Sequence, residues 1–389
     1  MYISRLTSSL TGNILQDLEA MRAKLVDEDR RDVINLSAGT PDIPPANHII
    51  EAIINAAQHP GSYKYTLIMP PELTEAVSQW YGRRYGVPIG PEEQTTLYGS
   101  QEGFAHIFHA LCDPGDIVIV GTPGYPVFSF GPLMAGATVY KTPLRPENGF
   151  LIDFESIPKD VARRARAIIA SYPTNPLGAV ADEDFYERLV SFAKRYDIVV
   201  IHDNAYSEIV HDGPPGGSFL AIPGARDVGI EFNSLSKSYC LTGLRISFAL
   251  GNREIIGAFK RLRSNIDYGL SAIDHAAAIS ALTGPQDWLE NNREAYRGRR
   301  DALCEALRKR GWDVPMTPAT MFTWFPLPEH CSDDVAFCKG LLEETAVMCV
   351  PGSSFGEGGE GWVRFALIES EFMLWHAASR IMWYIDSLR

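Results

Sequence analysis

Ser234-Leu235-Ser236-Lys237, followed eight residues later by Arg245 in Leu241-Thr242-Gly243-Leu244-Arg245, is the stretch on which the reading of this chain turns. The run Val228 to Ser234 ahead of it predicts a buried strand, so Lys237 falls just past a strand end, flanked by hydroxyls. A lysine so placed can form a Schiff base with an aldehyde cofactor, while the hydroxyls and the guanidinium bind a phosphate. A lone lysine is ordinarily a solvated surface residue; here the surrounding pattern carries the functional reading.

Outward from this stretch, strand-like and helical segments alternate from about Ala46 to Ala281, the pattern of an α/β domain with a mainly parallel sheet. Further buried strands are predicted at Ile117 to Val120, Ala167 to Ser171, Ile198 to His202 and Ile246 to Leu250. Leu73, Ala76, Val77 and Trp80, and later Phe185, Leu189 and Phe192, have helical spacing. After about Leu282 come a long polar helix (about Asp287 to Arg310), strand candidates Met321 to Phe325, Val347 to Val350 and Trp362 to Leu367, and a terminal helix (about Phe372 to Leu388). The expected organisation is a large cofactor-binding domain over 46–281 and a smaller α+β domain over 282–389, with the segment 1–45 packing against the smaller one.

Several polar residues fall at predicted strand ends. Asp203 closes the apolar run Ile198 to His202, and ligands of open α/β sheets collect at such ends. A carboxylate there can keep a cofactor ring nitrogen protonated, although a helix N-cap would also explain it. Asn175, in Tyr172-Pro173-Thr174-Asn175-Pro176, suits a hydrogen bond to a ring oxygen or serves a Pro-rich turn. Gly99-Ser100-Gln101-Glu102-Gly103 opens a helix (about Phe104 to Leu111) whose free amides suit a phosphate. Tyr125, between turn residues, can stack on a pyridine ring or simply pack. Arg364, inside the apolar strand Trp362-Val363-Arg364-Phe365, calls for a buried anion: a substrate carboxylate or a structural ion-pair partner.

Composition sets the limits. The 389 residues are 46% hydrophobic, enough for a large core, and 35 Lys+Arg against 48 Asp+Glu leave a net charge of −13 that repels nucleic acid and anionic membrane. The six cysteines are dispersed, without CxxC or a Cys/His cluster at metal-ligand spacing, and read as reduced thiols of a cytoplasmic protein. Neither a signal segment nor a membrane-spanning apolar run is visible.

In order along the chain, these elements resemble the class I/II aminotransferases of the fold-type I pyridoxal-phosphate superfamily, above all the LL-diaminopimelate aminotransferase group and relatives assigned to alanine or aspartate. Gly39-Thr40-Pro41-Asp42, Ser218-Phe219-Leu220, Ser264-Asn265-Ile266-Asp267, Arg299-Arg300-Asp301 and Pro351-Gly352-Ser353-Ser354-Phe355-Gly356-Glu357 match as well. The resemblance implies pyridoxal 5'-phosphate bound as an internal aldimine at Lys237, with Lys237, Asp203 and Tyr206 as the catalytic set. It implies phosphate contacts from Ser100, Gln101, Ser234, Ser236 and Arg245, ring-oxygen contacts from Asn175 and Tyr206, and substrate contacts from Gly39, Asn175 and Arg364. It further implies a homodimer in which Tyr65 reaches the partner's phosphate and Asn265 the partner's substrate.

The chain departs from the family near the expected substrate mouth. Relatives carry a glycine and then an arginine after the Tyr65 position, where this chain has Leu67-Ile68-Met69-Pro70-Pro71-Glu72-Leu73-Thr74; Leu177, Leu244 and Tyr268 also replace family residues. Transfer of an amino group from an α-amino acid to a 2-oxo acid is the expected reaction. Elimination, replacement or cyclisation at Cβ or Cγ is the alternative that uses the same Lys237 and Asp203. A non-catalytic regulator of this fold would be expected to bring a DNA-binding module, for which there is neither spare length nor a basic face.

Overall fold

The computed structural model describes residues 3, 4, 6, 14–27 and 32–389. Its strands are β1 (Ile34–Asn35), β2 (Gln94–Tyr98), β3 (Ile117–Thr122), β4 (Thr138–Pro143), β5 (Ala165–Ser171), β6 (Val199–Asn204), β7 (Gly229–Ser234), β8 (Ile246–Gly251), β9 (Phe322–Pro326), β10 (Val347–Met348), β11 (Val350–Pro351) and β12 (Trp362–Ala366). β2 to β8 form one sheet in the order β2-β8-β7-β6-β5-β3-β4. β8 is antiparallel to both of its neighbours and every other pairing is parallel. Six strands therefore end on a single edge of the sheet, the edge at which β8 begins.

Strands covered on both faces have to be apolar on both, and alternate residues do enter two separate cores. Ile119, Ile168 and Val200 pack with Leu73, Val77, Phe185 and Leu189 on one face. Val118, Ile169 and Ile201 pack with Phe104, Phe108, Ile256 and Phe259 on the other. The crossover helices begin and end on local signals: in Glu183–Tyr196, Asp182 Oδ1 accepts from the Phe185 amide at 2.9 Å, and Asp197 leaves the helix at φ 58°.

A third core gathers Leu18 and Leu25 of the helix Ile14–Asp27 with Leu303, Leu307, Phe325, Phe365 and Ile381. Over it lie the antiparallel sheet β11-β12-β9 and the pair β1-β10. The expected strand Val347 to Val350 is in fact two strands, because the chain changes sheets at Cys349: β10 pairs β1 and β11 pairs β12. The helix Ala272–Thr283 runs across position 281 and ends two residues beyond it. No helix among the described residues is long and apolar enough to cross a membrane.

Three strands were not legible. β1 is two residues long, β4 lies at a sheet edge and is mostly uncovered, and β2 buries the polar Gln94, Thr95 and Thr96, which hide its strand character.

The helix Val127–Met134 crosses Ser100–Leu111 at Gly131, where a Cβ would stand 2.2 Å from the Phe104 carbonyl oxygen. Gly131→Ala is expected to cost about 2–3 kcal/mol by overpacking against rigid backbone. Gly82→Ala, in a helix with open space around it, is expected to be neutral or to stabilise by up to ~1 kcal/mol. Urea denaturation of both variants checks the contrast, and equal midpoints would contradict it.

Candidate active site

The shared edge of the seven-stranded sheet opens into a cavity of about 1290 Å³. Ser100 and Gln101 follow β2, Tyr125 follows β3 and Asn175 follows β5. Asp203 lies in the end of β6 with Tyr206 just past it; Ser234 ends β7, with Ser236 and Lys237 next; Arg245 immediately precedes β8. Gly39 arrives from the loop after β1 and Arg364 from β12. Tyr65 and Asn265 do not line the cavity: Tyr65 is 79% exposed against Tyr268, and Asn265 donates to the Arg261 carbonyl at 2.9 Å on the surface.

One end of the cavity is built for an anion. Gly99, at φ 81°, precedes the helix Ser100–Leu111, whose first amides have no partner within the helix. A Cβ on Gly99 would stand 2.3 Å from Arg245 Nη2, so only glycine lets that guanidinium close in. The Ser100 hydroxyl is buried without a partner. Ser234 Oγ accepts from the Ser236 amide at 3.1 Å and starts the short helix Leu235–Ser238 that carries Lys237.

Lys237 Nζ donates to the Gly39 carbonyl. Burial, reinforced by the charges of Arg364 and Arg245, lowers its ammonium pKa to about 8. Asp203, paired in register with Ser171, accepts from Ser171 Oγ at 3.0 Å. Burial pushes its carboxyl up to about 6, against the opposing effects of that hydrogen bond and of His202. On the other face of β6, His202 Nδ1 lies 2.9 Å from Glu231 Oε2, and Glu231 also accepts from Tyr81 at 2.7 Å and Ser218 at 2.9 Å. Tyr125 donates to Gln101 Oε1 at 3.0 Å, and the buried Tyr206 packs edge-on to Phe322.

Arg364 is 5% exposed, and no described carboxylate pairs with it. Nη1 donates to Asn175 Oδ1 at 3.0 Å, Nη2 donates to the Ser37 carbonyl at 2.8 Å, and Nε is buried without a partner. The guanidinium lies over the rings of Phe322 and Phe355, 4.1 and 4.8 Å from their centroids. Burial lowers its pKa to about 10. The structural ion pair that would have explained this arginine is thus not found among the described residues. The sequence assigns no site role to Ser171, Ser37, Phe322 or Phe355, because only strand register and domain packing bring them here.

The raised Asp203 carboxyl has a consequence for the ligand-free protein. Below about pH 4 the group is neutral both folded and unfolded; from there to about pH 6 the unfolded chain ionises first and stability falls. Above that range the full cost, on the order of 3 kcal/mol, persists. Asp203→Asn is therefore expected to stabilise the ligand-free protein at pH 8 and to have little effect near pH 4, as read by urea denaturation at both. A difference independent of pH would contradict the assignment.

Known proteins resemble this chain in sequence and in fold. The chain matches the family model for aminotransferase class I and II over residues 31–381. It is 44% identical over 352 residues to the LL-diaminopimelate aminotransferase of Moorella thermoacetica, 90% of each chain. The substrate-bound structure of BacF from Bacillus subtilis superposes with a TM-score of 0.94 at 34% identity, over 98% of both chains. A probable N-succinyldiaminopimelate aminotransferase from Thermus thermophilus does so with a TM-score of 0.90 at 34% identity, over 95% of this chain and 100% of the other. The sheet with its converging strand ends, the lysine and arginines gathered there, and likeness along nearly the whole length lead to one conclusion: this chain belongs to the class I and II aminotransferases, transferases of α/β fold that depend on pyridoxal 5'-phosphate.

Proposed function

We propose that Lys237 is the cofactor lysine, that Asp203 partners the ring nitrogen, and that Arg364 binds the α-carboxylate of the amino acid. The observation that carries this reading is the unpaired, buried Arg364 guanidinium in the same cavity as a lysine whose ammonium is lowered to about 8. The partnerless Ser100 hydroxyl and the Gly99 cradle beside Arg245 fit the cofactor's phosphate. Ser234, Ser236 and Gln101 would add donors there, Asn175 and Tyr206 would hold the ring oxygen, and Tyr125 would pack on the ring. When bound, pyridoxal phosphate supplies an aldehyde for the amino group and a ring that stores the electron pair released at Cα.

The chain's own residues do the rest. Lys237 Nζ, partly neutral near pH 8, is free to take a proton from Cα and return it elsewhere. The Asp203 carboxylate, held by Ser171, would stabilise a positively charged ring nitrogen. The planar Arg364 fork grips a carboxylate at two points, while Asn175 and the Ser37 carbonyl fix its orientation. The backbone of Gly39 lies alongside as a further substrate contact.

For the substrate we infer an amino acid with a second polar head, of the LL-diaminopimelate type. The names of the relatives support this, as does a cavity that continues past Asn35 to Gln16 and Glu19 of the helix Ile14–Asp27. Amino-group transfer is favoured over elimination or cyclisation by the family match. We further infer a homodimer in the cytoplasm. Tyr63, Tyr65, Leu67, Ile68, Ile266 and Tyr268 form an exposed apolar rim that a second copy would cover, bringing Tyr65 and Asn265 toward the partner's cavity. The domain limits we adopt are 46–281 and 282–389, with 1–45 joined to the smaller unit through β1 and Leu18; residues 1, 2, 5, 7–13 and 28–31 of that segment lie outside the described ones.

Two experiments test this reading. Borohydride should fix the cofactor covalently on Lys237 in the wild type but not in Lys237→Ala, and LL-diaminopimelate alone should yield one equivalent of its 2-oxo product per site, its amino group staying with the enzyme, before stopping until a 2-oxo acid is added. Continued turnover without an acceptor would point to elimination instead. In the second, Arg364→Lys should raise the donor KM by roughly tenfold or more while cofactor affinity changes little, since an ammonium lacks the two-point grip; an unchanged KM would make Arg364 structural.

A further inference from the structure

The helix Asp287–Arg308 is polar along most of its length, yet Asn292, Tyr296 and Arg299 turn inward as one stripe. Asn292 is 2% exposed in a helix where its neighbours Asn291 and Arg293 are not buried. Its Nδ2 donates to the carbonyls of Lys237 and Ser238, both at 3.2 Å. These carbonyls end the four-residue helix Leu235–Ser238, where no further turn exists to use them. Asn292 Oδ1 accepts from the Cys240 thiol at 3.8 Å, and Cys240 sits at φ 56°, a left-handed conformation that a residue with a Cβ adopts only when its surroundings hold it.

Two turns further along, Arg299 grips Asp42 at two points, 2.6 and 2.7 Å, and donates to the Leu367 carbonyl at 3.0 Å. Asp42 anchors the loop whose Gly39 carbonyl accepts from Lys237 Nζ. One face of one helix thereby holds Lys237 at both ends, the backbone directly and the amine through the loop above it.

We propose that Asn292 is a positioning residue: its two donated hydrogen bonds fix the turn from Lys237 to Cys240, and so the direction from which the lysine side chain enters the cavity. This rests on the reading of Lys237 as the cofactor lysine. A residue that merely fills space here would tolerate aspartate, which has the same shape but replaces both donors with a carboxylate facing two carbonyls.

The test compares wild-type, Asn292→Asp and Asn292→Ala holoenzymes by borohydride trapping, visible circular dichroism of the bound cofactor, steady-state kinetics and thermal unfolding. Trapping on a residue other than Lys237 in the wild type would remove the underlying reading. With trapping on Lys237 throughout, both variants are expected to lose visible dichroism, because the cofactor is no longer held at one angle. Their kcat should fall about tenfold to a hundredfold while KM stays within about twofold. Wild-type dichroism and kcat in Asn292→Asp would overturn the inference. If that variant does not fold, Asn292→Ser, able to keep one of the two bonds, should lie between wild type and Asn292→Ala in both readouts; wild-type values there would overturn it equally.

Discussion

Burying the Arg364 guanidinium without a carboxylate beside it is the constraint around which the site is arranged. An unpaired buried cation carries a desolvation penalty of several kcal/mol, and here it is met by the Ser37 carbonyl, the Asn175 amide oxygen and two aromatic faces rather than by a fixed negative charge. Neutralising it with an aspartate would have been less costly for folding and would have closed the site to any carboxylate ligand. The orphaned Nε marks what has been left open. Burial lowers the Lys237 ammonium, and the charges of Arg364 and Arg245 add to that effect although the protein as a whole carries a charge of −13. The acidic exterior disfavours polyanions, while the cavity attracts small ones.

The counterweight is Asp203, the buried carboxylate among the site residues. It sits beneath the cations on the sheet edge and is raised rather than lowered, since burial outweighs what its neighbours return. A group held in that state is unfavourable until a positive partner arrives, so the folded chain stores binding energy for such a partner. His202 and Glu231, fully buried on the reverse face of the same sheet, form a self-contained hydrogen-bonded set that fastens β6 to β7 and keeps the strand carrying Asp203 in register.

The fold makes these placements unavoidable. Because β8 alone runs against the rest, residues separated by more than a hundred positions, Ser100 and Asp203 among them, emerge on one edge. The third core then brings β12 and the loop after β1 over that edge, and with them Arg364 and Gly39. The departures at Leu67 to Thr74 fall outside the cavity of this chain: Leu67 and Ile68 are exposed on the apolar rim, whereas Leu73 is buried in the core beside the sheet.

By itself the sequence determined the α/β class, most of the central strands and ten residues of the cavity, because these are written locally: apolar runs mark covered strands, and most of the polar side chains singled out fall at their ends; Gly39 and Tyr206 were added by the family resemblance. Tertiary structure decided what depends on register and packing. Ser171 reaches Asp203 only through strand pairing, and Phe322 and Phe355 reach Arg364 only because a separate core closes over the sheet. β2 was hidden by its polar residues, whose burial is set by partners elsewhere such as Ser78. Asn292 was hidden in the same way: in a helix of polar residues nothing in the order of letters distinguishes those that turn inward, since that depends on which face the helix presents to the turn carrying Lys237.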